Sequence, residues 1–356
     1  MLNRVVGVVT EIGRTIGDIQ YVVVEVEGQG ARRAINYPSL TGPAFQGDRV
    51  LLNETATKLS LGTGGYDFVI ANLTDPVRPA PTDEHPGGHI IKGRYLPHQQ
   101  AVLTLEEQSR YAEVWGKSLD GLPVIVAQLH SQVAAAAAGL ALRGVAPVTY
   151  IMTDAAALPL SLSRLIVQLK QTDLIDSALT AGQAFGGDFE TVTVHSALLA
   201  AKHICGARAV IVCQGPGNAG TGTQYGFSGI EQASLLDIVE RLGGKPFAVV
   251  RASEADERDR HRGISHHTRT ALRLAYAKCF VGLPPGLAFP GLRRRHSKRT
   301  VESTDLALQV LEDKCIALTT MGRSVQDDLL FFQAAAAAGI AAADELHHQE
   351  EQEQSN

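Results

Sequence analysis

The fold of this chain is decided by residues 209–229, which read AVIVCQGPGNAGTGTQYGFSG. An apolar run of β-strand type ends at Cys213, and five glycines follow within residues 214–226. A helical pattern then covers residues 229–242, and a second apolar run covers residues 247–250. Strand, glycine-rich loop, helix and strand make a βαβ unit, and the loop of such a unit lies where ligands usually bind.

The same alternation of strand and helix extends from residue 122 to residue 345. The apolar runs that predict strands are 123–129, 148–152, 178–181, 209–213, 247–250, 278–283 and 315–319. The periodic runs that predict helices are 132–143, 158–170, 190–205, 229–242, 268–276, 303–312 and 325–345. Nearly continuous apolar strands indicate a parallel sheet covered on both faces. Residues 101–345 are therefore predicted to form a Rossmann-like three-layer α/β domain with a mostly parallel sheet.

The N-terminal part of the chain has a different pattern. Residues 1–74 contain five short β-rich runs separated by glycine-containing turns, which predicts a small β-barrel of the OB-like or SH3-like kind. Residues 75–100 begin with a proline-rich stretch and are predicted to be a linker and crossing segment. Its sequence GGHIIKGRYLPHQQ, which includes Lys92, fits a segment that crosses the active site or an exposed edge strand. The polar residues 346–356 are predicted to be a mobile tail.

Composition limits the classes of function. The chain has 356 residues, a net charge of −5, 45% hydrophobic and 19% charged residues, so neither a nucleic-acid partner nor a membrane is expected. The N-terminus lacks the features of a cleavable signal peptide, and the apolar runs are too short or too interrupted for a membrane span. Four cysteines without CxxC spacing predict a reducing, cytoplasmic location.

Polar or glycine-rich residues follow five consecutive predicted strands. The five groups are His130-Ser131, Thr153-Asp154, residues 182–188 (GQAFGGD), the loop that starts at Gln214, and residues 251–256 (RASEAD). Because the carboxyl ends of parallel strands meet at one edge of a sheet, the five groups are predicted to line a shared cleft.

The glycine-rich loop is predicted to bind an anion. Its backbone N–H groups, its small hydroxyls and the start of the next helix together suit a phosphate or a carboxylate. The candidate residues are Gln214, Gly215, Gly217, Asn218, Gly220, Thr221 and Thr223. Residues 215–220 also match GxGxxG, but Arg251 and Ser253 stand where a dinucleotide site usually has an acidic residue. A dinucleotide with a 2′-phosphate stays open beside another anion.

The segment 256–267, DERDRHRGISHH, is crowded with ionisable residues. We interpret it as an anion clamp, with Arg262 balancing charge and His261, His266 or His267 acting as general acid or base. A metal site that adds Asp154, Asp188 or Asp256 is an alternative, although neighbouring arginines disfavour a cation. A solvated helix start is the third interpretation. A divalent metal or a nucleotide therefore stays open as the cofactor.

Other residues carry weaker signals. No G-x-S-x-G motif occurs, Ser131 is expected to cap a helix, and Cys213 is expected to be a buried structural thiol. The basic run 293–300, RRRHSKRT, is predicted to be a solvated loop. Contact with RNA or another polyanion is its alternative function.

Several of these motifs together resemble an uncharacterised bacterial family, a domain-of-unknown-function group of about this length. The matching pieces are GGHIIKGRY, Thr153-Asp154 with Leu158-Pro159 and Ser163, AGQAFGGD, GPGNAGTGT-x-YGFSG and RHRGISHH. The resemblance covers most of the chain, to about Arg323. It implies no activity and no catalytic residues.

The sequence therefore predicts an enzyme that acts on a small anionic or phosphorylated molecule at the carboxyl ends of the strands. The loop residues above, with Arg251, Ser253, Arg262 and Lys92, would bind the anion. Asp154, Asp188, His261, His266 and His267 would transfer protons. Two alternatives stay open: a non-catalytic sensor with the same pocket, and a nucleic-acid-associated protein that uses the barrel and the basic run 293–299. Self-association is also left open.

Overall fold

The computed structural model describes residues 2–62, 64–80 and 87–355. The chain divides into two compact units, Met1–Val102 and Leu103–Asn356. Part of the predicted linker, residues 81–86, lies outside the described residues.

The first unit contains a closed five-stranded barrel with the strand order β1-β2-β3-β5-β4. Its strands are β1 (Arg4–Ile16), β2 (Ile19–Val26), β3 (Gly30–Asn36), β4 (Arg49–Asn53) and β5 (Asp67–Asn72), with short helices α1 (Pro38–Thr41) and α2 (Thr55–Lys58) between them. In β2 the side chains of Val22, Val24 and Val26 point into the barrel and are at most 2% exposed. These inward-pointing side chains, at every second position of the strand, contribute to the core of the small barrel. The predicted N-terminal fold is therefore confirmed.

A two-stranded antiparallel hairpin completes the first unit. Its strands are β6 (Ile90–Lys92) and β7 (Gln100–Val102). The side chain of Lys92, at the end of β6, is buried. The polar segment that follows the linker is therefore a hairpin of the first unit.

The second unit is built on an eight-stranded sheet in which all neighbouring strands run parallel. The strands of this unit are β8 (Pro123–Val126), β9 (Val148–Thr153), β10 (Ser177–Thr180), β11 (Phe189–Glu190), β12 (Ala209–Gln214), β13 (Lys245–Ala248), β14 (Ala252–Ser253), β15 (Gly263–Ile264), β16 (Phe280–Leu283), β17 (Ser297–Thr300), β18 (Thr319–Thr320) and β19 (Arg323–Ser324). The order in the large sheet is β11-β10-β9-β12-β8-β13-β16-β17, and the remaining strands form two small hairpins.

Seven helices cover the two faces of this sheet. They are α3 (Val133–Leu142), α4 (Arg164–Gln171), α5 (Val194–His203), α6 (Gln232–Arg241), α7 (His266–Leu274), α8 (Thr304–Asp313) and α9 (Leu329–Ser355). The core on one face combines α3, α4, α8 and α9, and the core on the other face combines α5, α6 and α7. The predicted Rossmann-like three-layer architecture is thus confirmed, because the side chains of the sheet strands pack into both cores.

The alanine-rich runs of the sequence are explained by the contact of α3 with α9. A Cβ atom added to Gly139 of α3 would lie 2.4 Å from the Ala336 carbonyl oxygen, and one added to Gly339 of α9 would lie 2.0 Å from that of Ala136. The two helix backbones therefore touch, and only glycine and alanine fit between them. Helix α9 is long and apolar enough to cross a membrane, but 67% of its apolar window is buried in the unit as a core helix.

The structure differs from the predicted strands at the C-terminal edge of the sheet. Residues 315–319 were expected to form a sheet strand, but Cys315 has a left-handed φ of 56° and the chain leaves α8 without joining the sheet. The edge strand is instead β17, which belongs to the basic run predicted to be a loop. All four β17 side chains are exposed, so the strand carries no alternation of apolar residues that sequence analysis could detect.

The C-terminal segment also differs from its prediction. Residues 346–355, expected to be a mobile polar tail, continue helix α9. The Glu350 carboxylate pairs with Arg208 at 2.6 Å, and the Gln349 amide donates to the Gly121 carbonyl at 3.4 Å. These polar contacts, with the partly buried side chain of Leu346, attach the last turns of the helix to the unit. Ser324 lies about one turn before the helix, where it and Asp327 bond each other through side chains and backbone N–H groups.

Candidate functional site

The carboxyl ends of the parallel strands form the edge at which the candidate residues lie. Strands β8 and β12 are neighbours in the sheet, but β8 leads to α3 on one face and β12 leads to α6 on the other. Connections that leave in opposite directions open a crevice between neighbouring strands, which is the usual ligand position in such folds. The glycine-rich loop that follows β12 starts at this crevice.

The glycine-rich loop, residues 214–228, uses most of its polar side chains to hold its own shape. The hydroxyls of Thr221 and Thr223 lie 2.8 Å apart, and Thr223 also accepts from the Gly226 N–H at 3.1 Å. The Gln214 amide donates to the Gln128 carbonyl at 2.8 Å and to the Asn218 side chain at 2.9 Å. These four predicted anion ligands therefore stabilise the conformation of the loop.

The start of the next helix does not fit the predicted anion site. Helix α6 begins after a 3₁₀ turn, and Glu231 occupies its N-cap position. The Glu231 carboxylate accepts a hydrogen bond from the Thr153 hydroxyl at 2.6 Å, and burial, with Asp154 nearby, raises its pKa to about 7. Sequence analysis missed Glu231, although an acidic residue directly after a glycine-rich loop is a visible signal. An anion would compete with this carboxylate at the helix end.

The three candidate histidines are brought together at the start of α7. One ring nitrogen each of His261, His266 and His267 lies within 4.8 Å of the others. The Ser265 hydroxyl holds two of them, because it lies 2.7 Å from His261 Nδ1 and accepts from the His267 N–H at 3.2 Å. Phe227, in the glycine-rich loop, stacks on His267 with a ring separation of 3.7 Å. The histidine cluster and the glycine-rich loop therefore pack against each other.

Arg251 is a buried hydrogen-bond partner of this cluster, and Ser253 is buried two residues further along the chain. Arg251 is 2% exposed and donates to Asp256 at 3.3 Å and to His267 Nδ1 at 3.2 Å. Ser253 is also buried and donates to Asp328 at 2.6 Å. Burial lowers the pKa of Arg251 to about 10, so the guanidinium stays charged at neutral pH. Arg251 therefore holds His267 in place, whereas Ser253 bonds Asp328 and the Asp256 N–H.

The contact between Arg251 and His267 determines where the His267 proton lies. A guanidinium has donors only, so His267 Nδ1 must accept, and the neutral ring carries its proton on Nε2. Burial and then Arg251 lower the pKa of His267 to about 3, so the ring is neutral at pH 7. The Nε2 atoms of His266 and His267 are buried and have no hydrogen-bond partner within the described part of the chain. His267 therefore offers an unused N–H donor.

These contacts do not fit a metal site. A metal-bound histidine normally donates its other ring N–H to an acceptor, whereas His267 faces a donor at Nδ1. The positive charges of Arg251 and Arg258 also lower the pKa of His261 to about 3, after burial. The same charges would oppose a divalent cation.

Beside the histidines lies a pocket of about 630 Å³, which we call the arginine pocket. Four arginines line it, joined by His266, by apolar side chains and by the tip of the glycine-rich loop: Arg260, Arg269, Arg273, Arg293, Leu272, Phe289, Leu292, Gly222 and Gln224. No acidic residue is among the residues described as lining it. Arg269 is fixed by donating to the Pro290 carbonyl at 2.7 Å and lies over the Phe289 ring at 5.2 Å. Sequence analysis missed Arg269 and Arg273, although their spacing on α7 places them on one helix face.

Other predicted residues lie apart from this cluster. Asp188 lies near the amino end of β10, where it accepts from the Ala178 N–H at 2.8 Å and pairs with Lys170. Asp154 accepts from the Gln183 N–H at 2.8 Å beside the Thr153–Glu231 bond. Arg262 is exposed and does not line the arginine pocket. Lys92 belongs to the first unit.

The fold and the site define an α/β protein with an N-terminal barrel and a polar cluster at the carboxyl edge of a parallel sheet. Residues 33–339 match the family described as Protein of unknown function (DUF3866). The chain belongs to this family, because the match covers most of its length, and the resemblance to a domain-of-unknown-function family is confirmed. No curated protein matches the chain.

Proposed function

We propose that this protein is an enzyme that acts on a small anionic or phosphorylated molecule bound at the carboxyl ends of the parallel strands. The observation that carries the proposal is the arginine pocket, which combines four arginines with His266 and no acidic lining residue among those described. Arginine suits carboxylate and phosphate groups, because its planar fork of donors matches their oxygens.

The histidines supply the chemistry in this proposal. His267 Nε2–H is a buried donor without a partner among the described residues, and His266 of the same cluster lines the arginine pocket. An anion held by the arginines would lie beside His266, and a neutral imidazole can take a proton from an attacking water molecule. Asp188 has no part in this scheme, because it lies towards the amino ends of the strands.

Two competing functions would use the same surface. A non-catalytic sensor would bind the anion through the arginines alone, whereas the lowered pKa values of His261 and His267 favour an enzyme. A nucleic-acid-associated protein would use Arg293 and the exposed strand β17 as a contact for a polyanion.

The same proposal places the protein in the bacterial cytoplasm. The small number of cysteines and the lack of CxxC spacing support a reducing compartment, and the bacterial origin rests on the resemblance alone.

Anion binding is tested by calorimetric titration with inorganic phosphate, phenyl phosphate and benzoate at low salt. We expect the Kd to rise at least tenfold in Arg273→Gln/Arg293→Gln, because each exposed arginine contributes a charge-assisted contact. The matched control is Arg241→Gln, which removes an exposed charge from the end of α6 away from the pocket. Absence of binding to all three anions would overturn the proposal, as would an equal loss in the control.

Catalysis needs a separate measurement. If phenyl phosphate is a substrate analogue, phosphate release should occur in the wild type and fall at least 100-fold in His266→Gln, with binding retained. Binding without release of product from any tested anion would favour the sensor. Tighter binding of single-stranded RNA than of phenyl phosphate, with a steep salt dependence, would favour the polyanion function.

A further inference from the structure

A second cleft, of about 620 Å³, lies on the other side of the glycine-rich loop. We call it the His130 cleft. Its wall includes His130, Arg164 at the start of α4, and Gly217 and Asn218 of the loop. Leu129, Leu165, Pro216 and Leu318 make much of the remaining wall apolar. No residue of this cleft lines the arginine pocket.

A serine and a histidine are paired beside this cleft: His130 lines it, whereas Ser163 is 2% exposed and is not among the residues described as lining it. Ser163 Oγ lies 2.6 Å from His130 Nε2, and Tyr150 Oη lies 3.2 Å from His130 Nδ1. The Tyr150 hydroxyl donates its own proton to the Cys213 carbonyl at 3.1 Å. Its oxygen is therefore an acceptor for His130, and a backbone hydrogen bond with Gln214 acts on the same ring.

These partners determine the tautomer of His130. Nδ1 faces the Tyr150 oxygen and carries the proton, so Nε2 has a free lone pair that accepts the Ser163 hydroxyl proton. A serine that donates to a histidine whose other nitrogen is held by a third group has the arrangement of an activated nucleophile. Burial lowers the pKa of His130 to about 4, so the ring is neutral over the physiological range.

Helix capping accounts for only part of this arrangement. Ser163 is the N-cap of α4, and its oxygen accepts from the Ile166 N–H at 3.1 Å. A cap needs an acceptor oxygen and makes no use of the hydroxyl proton. The pairing with His130, the positioning of His130 by Tyr150 and the adjoining cleft are additional to what a cap requires.

We propose that Ser163 is the nucleophile of an acyl-transfer site that hydrolyses carboxylic esters with a small apolar acyl group. Ser163 Oγ attacks the ester carbonyl carbon while its proton passes to His130 Nε2. The carbon–oxygen bond to the alcohol then breaks, and the alcohol leaves with that proton. Water attacks the acyl-serine with His130 again taking a proton, which releases the acid and restores Ser163.

The first turn of α4 lies where it would stabilise the negative charge that develops on the ester carbonyl oxygen. The helix begins at Arg164, so the Leu165 N–H has no acceptor one turn earlier within the helix. Backbone N–H groups and the positive end of the helix dipole stabilise a developing oxyanion beside the nucleophile. The apolar side chains of Leu129, Leu165 and Leu318 suit an acyl group. This activity does not depend on the function proposed for the arginine pocket.

The test is covalent labelling with a fluorophosphonate, which forms a stable adduct with activated serines, followed by mass spectrometry of the peptides. We expect one adduct, on Ser163, and at least a 100-fold slower reaction in His130→Gln. The rate should stay constant from pH 8 to about pH 5, because the pKa of His130 is about 4. The same pH range should hold for the hydrolysis of a p-nitrophenyl butyrate probe.

Two variants separate a nucleophile from a cap. Ser163→Asn keeps a side-chain acceptor for the helix and should remain folded but unlabelled. The matched control is Ser131→Ala, since Ser131 lines the same cleft and its hydroxyl donates to Thr320 at 3.1 Å rather than to a base. An unlabelled wild type, an adduct that persists in Ser163→Asn, or equal labelling of His130→Gln would overturn the proposal.

Discussion

The two sides of the glycine-rich loop hold histidines in opposite tautomers. In the cluster beside the arginine pocket, Arg251 donates to Nδ1 of His267, so Nε2–H becomes a donor. At the His130 cleft, Tyr150 accepts from Nδ1 of His130, so Nε2 becomes an acceptor for Ser163. In the two proposals, one residue type would bind an anion on one side and activate a hydroxyl on the other.

The difference originates in the strands that carry the partner residues. Arg251 follows β13 and is paired with the buried carboxylate of Asp256, which keeps the guanidinium charged in the interior. Tyr150 lies within β9 and is completely buried, so its hydroxyl needs partners inside the protein. Replacing Arg251 should therefore alter the His267 side alone, and replacing Tyr150 should alter the His130 cleft alone.

The largest effect is expected from Arg251→Gln. This change removes the buried charge that pairs with Asp256 and holds His267, so the free energy of unfolding should fall by about 3 kcal/mol. Urea denaturation measures the loss. Asp256 keeps its two bonds to the Arg258 guanidinium in this variant, so the loss reflects the missing contacts of Arg251 rather than an unpaired carboxylate. A loss below about 1 kcal/mol would show that the pair does not support the cluster.

Acid should destabilise both sides of the loop. The pKa of His267 is lowered to about 3 and that of His130 to about 4, mainly by burial. A lowered histidine pKa stabilises the fold above the unfolded value near 6.5, and that contribution is lost as the pH falls from 6.5 towards the folded value. Each group should contribute about 2 kcal/mol of loss between pH 7 and pH 5.

Single variants identify which histidine causes the loss. His267→Gln and His130→Gln should each flatten the dependence of unfolding free energy on pH, by similar amounts. His195→Gln, at the start of α5, is the control and should leave the slope unchanged. Identical pH profiles for the wild type, His267→Gln and His130→Gln would contradict the assigned burial of the two rings.

Sequence analysis reached the architecture more easily than the chemistry. The fully buried residues of β12 and the glycines after it produce a pattern over neighbouring residues, so the parallel sheet and the loop could be predicted. The pairing of His130 with Ser163 joins loops 33 residues apart, and nothing local to either residue signals it. Asp188 illustrates the converse, since it follows a predicted strand but turns back to the Ala178 N–H near the start of β10.

Tyr150→Phe should affect only the His130 cleft. The change removes a hydrogen-bonding hydroxyl and should lower the free energy of unfolding by about 1 kcal/mol. The fluorophosphonate reaction should slow about tenfold, because His130 keeps its bond with Gln214 but loses one of its two positioning partners. Phosphate binding should not change. The control is Tyr276→Phe, whose side chain is 84% exposed. Unchanged labelling would mean that Tyr150 does not position His130.

The smallest expected effect comes from a single methyl group in front of His267. A Cβ atom added to Gly220 would lie 3.7 Å from His267 Cε1, which is ordinary contact, and Gly220 is not among the glycines with positive φ. Gly220→Ala should therefore keep the free energy of unfolding within about 0.5 kcal/mol, while phosphate binding weakens two- to fivefold because the space beside the Nε2 donor shrinks. Gly217→Ala is a poorer probe, because its φ of 103° would strain any other residue. Calorimetry on Gly220→Ala with phosphate, beside fluorophosphonate labelling of the same variant, separates the two sides of the loop. Loss of labelling with phosphate binding intact would contradict the assignment of the anion to the His267 side.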